Sequence, residues 1–438
     1  MATNTPAKTT SSWMDGVRRW VNDTKIAGRP LMWYLTGWRF AVIAVVLAVL
    51  LPLITPDMYQ DIQSLRVAMI SVFVYVMLAL GLNIVVGYAG LLDLGYVAFF
   101  VIGSYTMAAG TAGQINNWAG KLINIPSFPF ILLLPVGAFL AGIFGVLLGA
   151  PTLRLRGDYL AIVTLGFGEI VPIVFQNIPI FFGQFGISAT QPVPIETPLG
   201  ELSFTDPLNS TPFYYLSLAV VVLVTLGVFM LRDSSIGRAW VAIREDETAA
   251  EASGVNLTNT KLLAFALGAF VGGIGGVMNT AYQPNIAPSN FSFSISITIL
   301  IMVVLGGIGS IPGVILGALA LRLFDVFLLQ RINDPVHQSA LVAPINAPLH
   351  FLAGIDFNTL KLLIYGIVLI IMILLRPQGL IPDARRRREL AGVGAAPEGM
   401  SAAGLLEQEE VGGDVLGAGE SLDTTEYTGA GSDAQGRE

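Results

Sequence analysis

The stretch VAMISVFVYVMLALGLNIVV, residues 67–86, contains twenty consecutive residues without an Asp, Glu, Lys or Arg. A helix needs roughly 17–25 mainly apolar residues to cross the ~30 Å hydrocarbon core of a bilayer. Apolar and polar positions do not alternate along the stretch, as they would in the strand of a barrel. Because lipid permits only helices and closed barrels, the stretch predicts a membrane-spanning α-helix.

Similar apolar runs recur along the chain. The long ones are residues 130–150, 159–178, 213–231, 262–281 and 291–308, and the shorter or less clean ones are residues 40–54, 96–109, 314–329 and 362–375. We therefore predict an all-α polytopic membrane protein with about ten transmembrane helices.

The composition agrees with a membrane protein. Of 438 residues, 54% are apolar and 12% are charged, whereas a soluble domain carries roughly 25% charged residues. The absence of Cys excludes disulfide frameworks, zinc fingers, iron–sulfur clusters and thiol catalysis. Two His leave no His-based metal cluster, and the basic footprint of a nucleic-acid-binding protein is lacking. We expect no metal site and no catalytic residues.

The distribution of basic residues predicts the orientation. If ten crossings begin with the N-terminus in the cytoplasm, the inward segments hold 17 Lys/Arg and the outward loops hold four, as the positive-inside rule requires. The chain then divides into a cytoplasmic arm (1–39), a transmembrane bundle (40–376) and a C-terminal segment (377–438). The last segment joins a basic anchor at 385–388 to an acidic tail with ten Asp/Glu after residue 390, which we expect to be disordered.

The longest inward loop between spans, 232–260, has the composition of a helix. Its part AWVAIREDETAAEA, residues 239–252, lacks Gly and Pro and is rich in Ala and Glu, and a Gly follows at 254. This predicts one short helix at the membrane face with acidic residues near its middle. It could be a solvated connector, or a docking helix that inserts small side chains into a groove of a cytoplasmic partner. For the second role we select Arg238, Glu245, Asp246, Glu247, Ala250 and Gly254.

Two glycine clusters interrupt the apolar runs, at residues 81–95 and 306–313. Such glycines allow tight helix packing, but interrupted membrane segments also mark transport pathways.

An ionised carboxylate in the middle of a span costs about 2.5–3.5 kcal/mol, so Glu169 should face the bundle interior. Our candidates for the pathway are Asn83, Asp93, Thr164, Glu169 and Asn279.

Four segments carry a resemblance to a known family. They are LRLRGDYLAIVTLGFGEI (153–170), GRAWVAIREDETAAEASGV (237–255), VVLGGIGSIPGVILGA (303–318) and RPQGLIP (376–382), and VVGYAGLLDLGYVAF (85–99) agrees with them. Together they resemble the branched-chain amino-acid ABC transporter permease of the M-subunit type, over residues 67–383.

The resemblance implies a subunit in the plasma membrane of a prokaryote that pairs with a second homologous permease. Two cytoplasmic ATPase subunits and an extracytoplasmic substrate-binding protein would complete the importer. The family's EAA-like loop maps onto residues 247–254 and would seat in the ATPase. The one Gly-Lys pair, at 120–121, lacks the rest of a phosphate-binding loop, so ATP should bind to the partners and this chain should bind no cofactor.

Some residues depart from the family pattern, and other functions stay open. Pro172 stands where the family commonly has Arg. Permeases for urea and short amides are similar in sequence and are an alternative. A secondary transporter or channel that works without ATP is another, with Glu169 as its coupling carboxylate. A membrane-embedded enzyme is disfavoured because no catalytic His, Cys or Ser arrangement is present.

Overall fold

The structure is a computed structural model. It describes residues 25–26, 29–30, 48–49, 60–111, 128–153, 157–181, 183–188, 195–197, 200–202, 211–283, 285–329, 357–375 and 379–381. Most of the predicted arm (1–39), most of the first apolar run (40–54) and nearly all of the C-terminal segment (377–438) therefore lie outside the described residues.

The described chain is mainly helical. Its α-helices are α1 (Gln60–Leu82), α2 (Val97–Thr111), α3 (Phe130–Thr152), α4 (Asp158–Asn177), α5 (Thr211–Asp233), α6 (Ser235–Glu245), α7 (Glu247–Ala252), α8 (Leu257–Tyr282), α9 (Phe293–Gly306), α10 (Ile311–Leu323) and α11 (Phe357–Leu375). Two π-helical segments, Asn83–Tyr88 and Phe324–Leu329, directly continue α1 and α10. Single 3₁₀ turns lie at Pro179–Phe181, Gly183–Phe185 and Pro288–Asn290.

Short strands form three antiparallel pairs in the connections. β1 (Lys25–Ile26) pairs with β2 (Arg29–Pro30), and β4 (Ile195–Thr197) pairs with β5 (Gly200–Leu202). β3 (Ile187–Ser188) pairs with β6 (Asn285–Ile286), which joins the segments that follow α4 and α8.

Six helices in the described part of the chain are long and apolar enough to cross a membrane. They cover Ala68–Tyr88, Phe130–Thr152, Tyr159–Asn177, Thr211–Asp233, Leu257–Tyr282 and Pro288–Gly306, with shorter apolar helices at Val97–Thr111 and Lys361–Met372. The chain is thus a helical, polytopic membrane protein, as predicted. The count of about ten helices and the cytoplasmic placement of both termini stay predictions.

Helix α8 forms the centre of the bundle and packs against α1, α2 and α3. Its glycines allow this close approach: a Cβ on Gly276 would overlap the backbone of α2. Two side chains then donate to α8 carbonyls: Tyr96 Oη, just before α2, to Gly268 O at 2.9 Å, and Ser104 Oγ of α2 to Gly276 O at 3.2 Å. In lipid no hydrophobic force drives helices together, so their association depends on the close backbone contacts that small residues allow.

The first glycine cluster lies where a membrane segment is discontinuous. After the π-helix ends at Tyr88, the chain is not helical until α2 begins at Val97. Fifteen residues give α2 a rise of about 22 Å, which is less than the hydrocarbon thickness. The Val97 N–H donates to Ser296 Oγ of α9 at 3.0 Å. Helix α2 therefore begins inside the bundle, beside α9.

Replacing Gly103 by Ala tests the close packing of α2 on α8. A Cβ there would overlap the Gly273 carbonyl, so we expect the apparent melting temperature of the purified protein to fall. Overpacking of this kind typically costs about 1–3 kcal/mol. The control is Gly166→Ala in α4, where a new Cβ would meet nothing within 4 Å. Equal melting temperatures for the two variants would contradict the packing.

Candidate functional site

The predicted docking helix is in fact two helices, α6 and α7, that meet at Asp246. The backbone of Asp246 is extended, with φ −156° and ψ 114°. Its side chain accepts hydrogen bonds from the N–H groups of Thr248 at 2.8 Å and Ala249 at 3.0 Å. These bonds satisfy donors that the first turn of α7 leaves free. The prediction of one continuous helix over 239–252 was wrong because it did not treat Asp246 as an N-cap.

Helix α6 lies against the end of the bundle on an apolar face. Gly237, Trp240 and Ile243 are buried at helical spacing, and Trp240 is fully enclosed. Its indole Nε1–H donates to Thr260 O of α8 at 2.7 Å. On the exposed side, the Arg238 guanidinium donates to Asp233 O, the last residue of α5, at 2.9 Å. Helix α6 is therefore attached to both α5 and α8.

Helix α7 is attached to α8 by a salt bridge and by a small buried residue. Glu247 Oε1 lies 2.6 Å from Lys261 Nζ. Ala250 is buried, so the exposed alanines of α7 are Ala249 and Ala252. Gly254 ends the helix with φ +86°, a conformation that favours glycine.

Arg244, in the last turn of α6, makes the contact that the sequence analysis missed. Its Nη1–H donates to Gly87 O at 2.5 Å, across 157 residues of sequence. Gly87 is next to last in the π-helix, where carbonyls have no partner within the helix. The side-chain stem of Arg244 also lies against Gly90, where a Cβ would approach it closely. The available signal was its spacing of four residues from Trp240, a large apolar side chain, since residues i and i+4 share a helix face.

The same π-helix bonds to the second glycine cluster. Gly309 N–H donates to Asn83 Oδ1 at 2.9 Å, and Asn83 is fully buried. Gly307 and Gly309 have φ +117° and +85° in the turn that separates α9 from α10. Two interruptions of membrane helices, from opposite halves of the sequence, therefore meet beside the end of α6.

The other pathway candidates lie apart from this junction. Leu94 N–H donates to Thr164 Oγ1 at 3.1 Å, and buried Asp93 accepts the Gly95 N–H at 2.9 Å, so Asp93 and Thr164 lie on adjoining segments. Glu169 is exposed on α4, and Asn279 is half-buried near the end of α8. Within the described part of the chain, no hydrogen bond or ion pair joins these last two residues to the others.

Far from this junction, an ionic cluster joins three helices. Arg322 pairs with Asp325, as its spacing of three residues suggests. Lys361 of α11 lies 2.8 Å from the same carboxylate. The Arg322 guanidinium also donates to Ser71 Oγ of α1, at 2.6 Å from Nη2, and lies 4.5 Å from the centre of the Tyr75 ring. The cluster ties α1, the end of α10 and α11 together.

Comparison with known proteins identifies the family. A family model described as the permease component of the branched-chain amino acid transport system matches residues 65–373. The chain belongs to this family of transport permeases. No solved structure matches it.

Relatives with described functions are transport permeases. The chain is 37% identical over 379 residues to the high-affinity branched-chain amino acid transport system permease protein LivM of Escherichia coli K12, which covers 82% of this chain and 78% of that protein. It is 27% identical over 335 residues to a probable branched-chain amino acid transport permease protein LivM of Methanocaldococcus jannaschii, covering 70% and 90%. The ribose import permease protein RbsC of Haemophilus influenzae is more distant, at 23% identity over 67% of this chain and 87% of its own length.

Replacing Asp246 by Ala should loosen α7 without unfolding the bundle. Loss of an N-cap side chain costs about 1 kcal/mol, and the two hydrogen bonds of Asp246 serve only α7. We expect faster hydrogen exchange in residues 247–254 and unchanged exchange in α8. Asp246→Asn keeps a cap acceptor and is the matched control. Unchanged exchange in Asp246→Ala would contradict the capping role.

Proposed function

We propose that this chain is one permease subunit of an ATP-driven importer for branched-chain amino acids. A second homologous permease, two cytoplasmic ATPases and an extracytoplasmic binding protein would complete it in the plasma membrane of a prokaryote. ATP would bind to the ATPases, and this chain would supply no cofactor site. The observation that carries the proposal is the contact of Arg244, on α6, with the π-helix at the interrupted segment. The family and its named relatives support the substrate class.

In this proposal α6 and α7 pass motion from the ATPases to the bundle. Trp240 and Lys261 hold the two helices to α8, so a displacement of α7 would reach α6 and α8 together. Arg244 would pull on the Gly87 carbonyl, and the Asn83–Gly309 bond would carry the shift to the turn between α9 and α10. Irregular segments of this kind can absorb a change of backbone angle, which alternating access requires.

The selected coupling residues divide by position in this scheme. Glu245, Asp246 and Glu247 lie at or beside the α6–α7 break, and they would give the charged rim that fixes an ATPase in register. Ala250 and Gly254 would shape α7, and Arg238 would join α6 to α5. Asn83, Asp93, Thr164, Glu169 and Asn279 remain our proposed pathway residues.

A second candidate function is transport without ATP, coupled to protons or ions. The exposed position of Glu169 on a spanning helix favours it, because a coupling carboxylate must be reachable from the pathway. This alternative gives no role to the attachment of α6 and α7.

The effect of Arg244→Ala tests the transmission of motion. A hydrogen bond from a charged donor is worth about 1.5–3 kcal/mol, so leucine uptake per ATP hydrolysed should fall by roughly tenfold or more. Subunit assembly should be unchanged, because the exposed rim of α6 and α7 is intact. Arg244→Gln, which can still donate to Gly87 O, should recover part of the uptake. Full uptake in Arg244→Ala would contradict the proposed transmission.

The requirement for ATP separates the two functions. In proteoliposomes that hold the assembled complex and the binding protein, we expect leucine uptake only when ATP reaches the ATPases. Dissipating the proton gradient should leave this uptake unchanged. Excess valine should compete with leucine, whereas urea and acetamide should not. Uptake that persists without nucleotide and stops with the gradient would favour the ATP-independent transporter.

A further inference from the structure

Helix α4 has a face that the rest of the described chain leaves largely exposed. Only 28% of its most apolar window is buried, the lowest share among the six spanning helices. Tyr159, Ile162 and Ile173 are more than half exposed and share this face at helical spacing. Glu169 projects from the same face and is exposed too.

The depth of Glu169 excludes lipid as its neighbour. It lies eleven residues after the start of α4 at Asp158, which is about 17 Å along a helix about 30 Å long. The carboxylate is therefore near the middle of the bilayer, where contact with hydrocarbon carries a heavy desolvation penalty. No hydrogen bond or ion pair holds Glu169 among the residues that the structure describes. A polar environment must come from a water-filled pathway, from a molecule that binds there or from another subunit.

A cavity of about 430 Å³ opens beside Glu169, within the usual range of roughly 300–1,000 Å³ for sites that bind small molecules. Its walls come from α4, from the 3₁₀ turn Gly183–Phe185 and from the segment just before α9. Besides the carboxylate, Gln176, Gln184 and Ser292 line it with amide and hydroxyl groups, and Ile173 and Phe291 give it an apolar side.

We propose that this cavity binds the transported molecule as an α-amino acid with an aliphatic side chain; this inference rests on the proposed function and deepens it. The Glu169 carboxylate pairs with the ammonium group of the amino acid. The Gln176 and Gln184 amides and the Ser292 hydroxyl can donate hydrogen bonds to its carboxylate. Ile173 and Phe291 contact the branched side chain.

The chemistry of the walls selects this ligand class. A single unpaired carboxylate attracts one cationic group, while neutral donors can hold an anionic group without a fixed positive charge. A 2-oxo acid of the same shape would place its carboxylate in the cavity but has no ammonium group to neutralise the charge of Glu169. Urea and short amides would have no group to fill the apolar side. The cavity reaches from Glu169, near the middle of its span, where transporters place their substrates, to Gln184 and Ser292 beside the ends of spanning segments.

The cysteine-free chain allows a direct test of occupancy. Ser292→Cys places one thiol in the cavity of the full complex in proteoliposomes, and a water-soluble methanethiosulfonate reagent modifies it. We expect L-leucine to slow this modification by roughly fivefold or more when nearly all sites are filled, because a filled cavity excludes the reagent. The analogue 4-methyl-2-oxopentanoate should not slow it. Tyr159→Cys, on α4 and outside the cavity, is the control and should be unaffected by leucine.

Substitution of Glu169 tests the ammonium contact. In Glu169→Gln we expect the KM for leucine uptake to rise by roughly tenfold or more and leucine to protect Ser292→Cys no longer. Glu169→Asp keeps the charge and should recover part of both. Assembly of the complex should be unchanged in both Glu169 variants. If Glu169 instead pairs with a cation of the second permease, Glu169→Gln will release that subunit during purification, and the inference is overturned.

The outcomes distinguish this inference from the proposed function. If the wild-type complex fails to import leucine with ATP, the proposed function fails. If it imports leucine but Glu169→Gln has an unchanged KM, or leucine does not protect Ser292→Cys, the proposed function stands and the cavity assignment is wrong.

Discussion

Every backbone N–H that is buried in this bundle needs an acceptor within the protein, because it cannot reach water. In hydrocarbon an unpaired backbone group costs several kcal/mol, so a membrane helix can be interrupted only where other groups take up its hydrogen bonds. The Asn83 side chain does this for Gly309, and Ser296 does it for Val97 at the start of α2. Thr164 accepts from the Leu94 N–H in the same way. Each interruption therefore survives because a neighbouring helix supplies an acceptor.

The same interruptions are the points at which α6 contacts the membrane segments in the proposed coupling. A regular helix offers no free carbonyl in its interior, whereas the end of the π-helix leaves Gly87 O available to Arg244. Glycines permit the positive φ angles of the 307–310 turn and the close approach of Arg244 to Gly90. Residues 380 and 381 donate to the carbonyls of Leu305 and Gly306, which fixes the end of α9. A movement of α6 would therefore act on backbone whose hydrogen bonds are satisfied but which is not part of a regular helix.

Sequence reasoning found the parts of the structure that depend on local pattern. Apolar run length predicted the six spanning helices of the described chain, and the composition of 232–260 predicted a helical loop. It failed at Asp246 because the composition around this residue favours the middle of a helix, whereas its side chain accepts the hydrogen bonds of an N-cap. It missed Arg244 because the acceptor, Gly87 O, is 157 residues away. It expected Glu169 to face the interior of this chain, but a single sequence does not reveal which helix face its own subunit leaves open.

Helices α1 and α10 run antiparallel and are joined at two levels: Ser71 bonds to Arg322, and Asn83, in the π-helix after α1, bonds to Gly309, in the turn before α10. Twelve residues of α1 separate these levels, or about 18 Å of rise. At the level of Ser71, the Arg322–Asp325–Lys361 charges clamp the pair, while at the other level a π-helix meets a glycine turn. The pair is thus held by ion pairs at one end, and at the other by the Asn83–Gly309 hydrogen bond between two irregular segments. A displacement of that second end would tilt the two helices about the ion pairs rather than slide them.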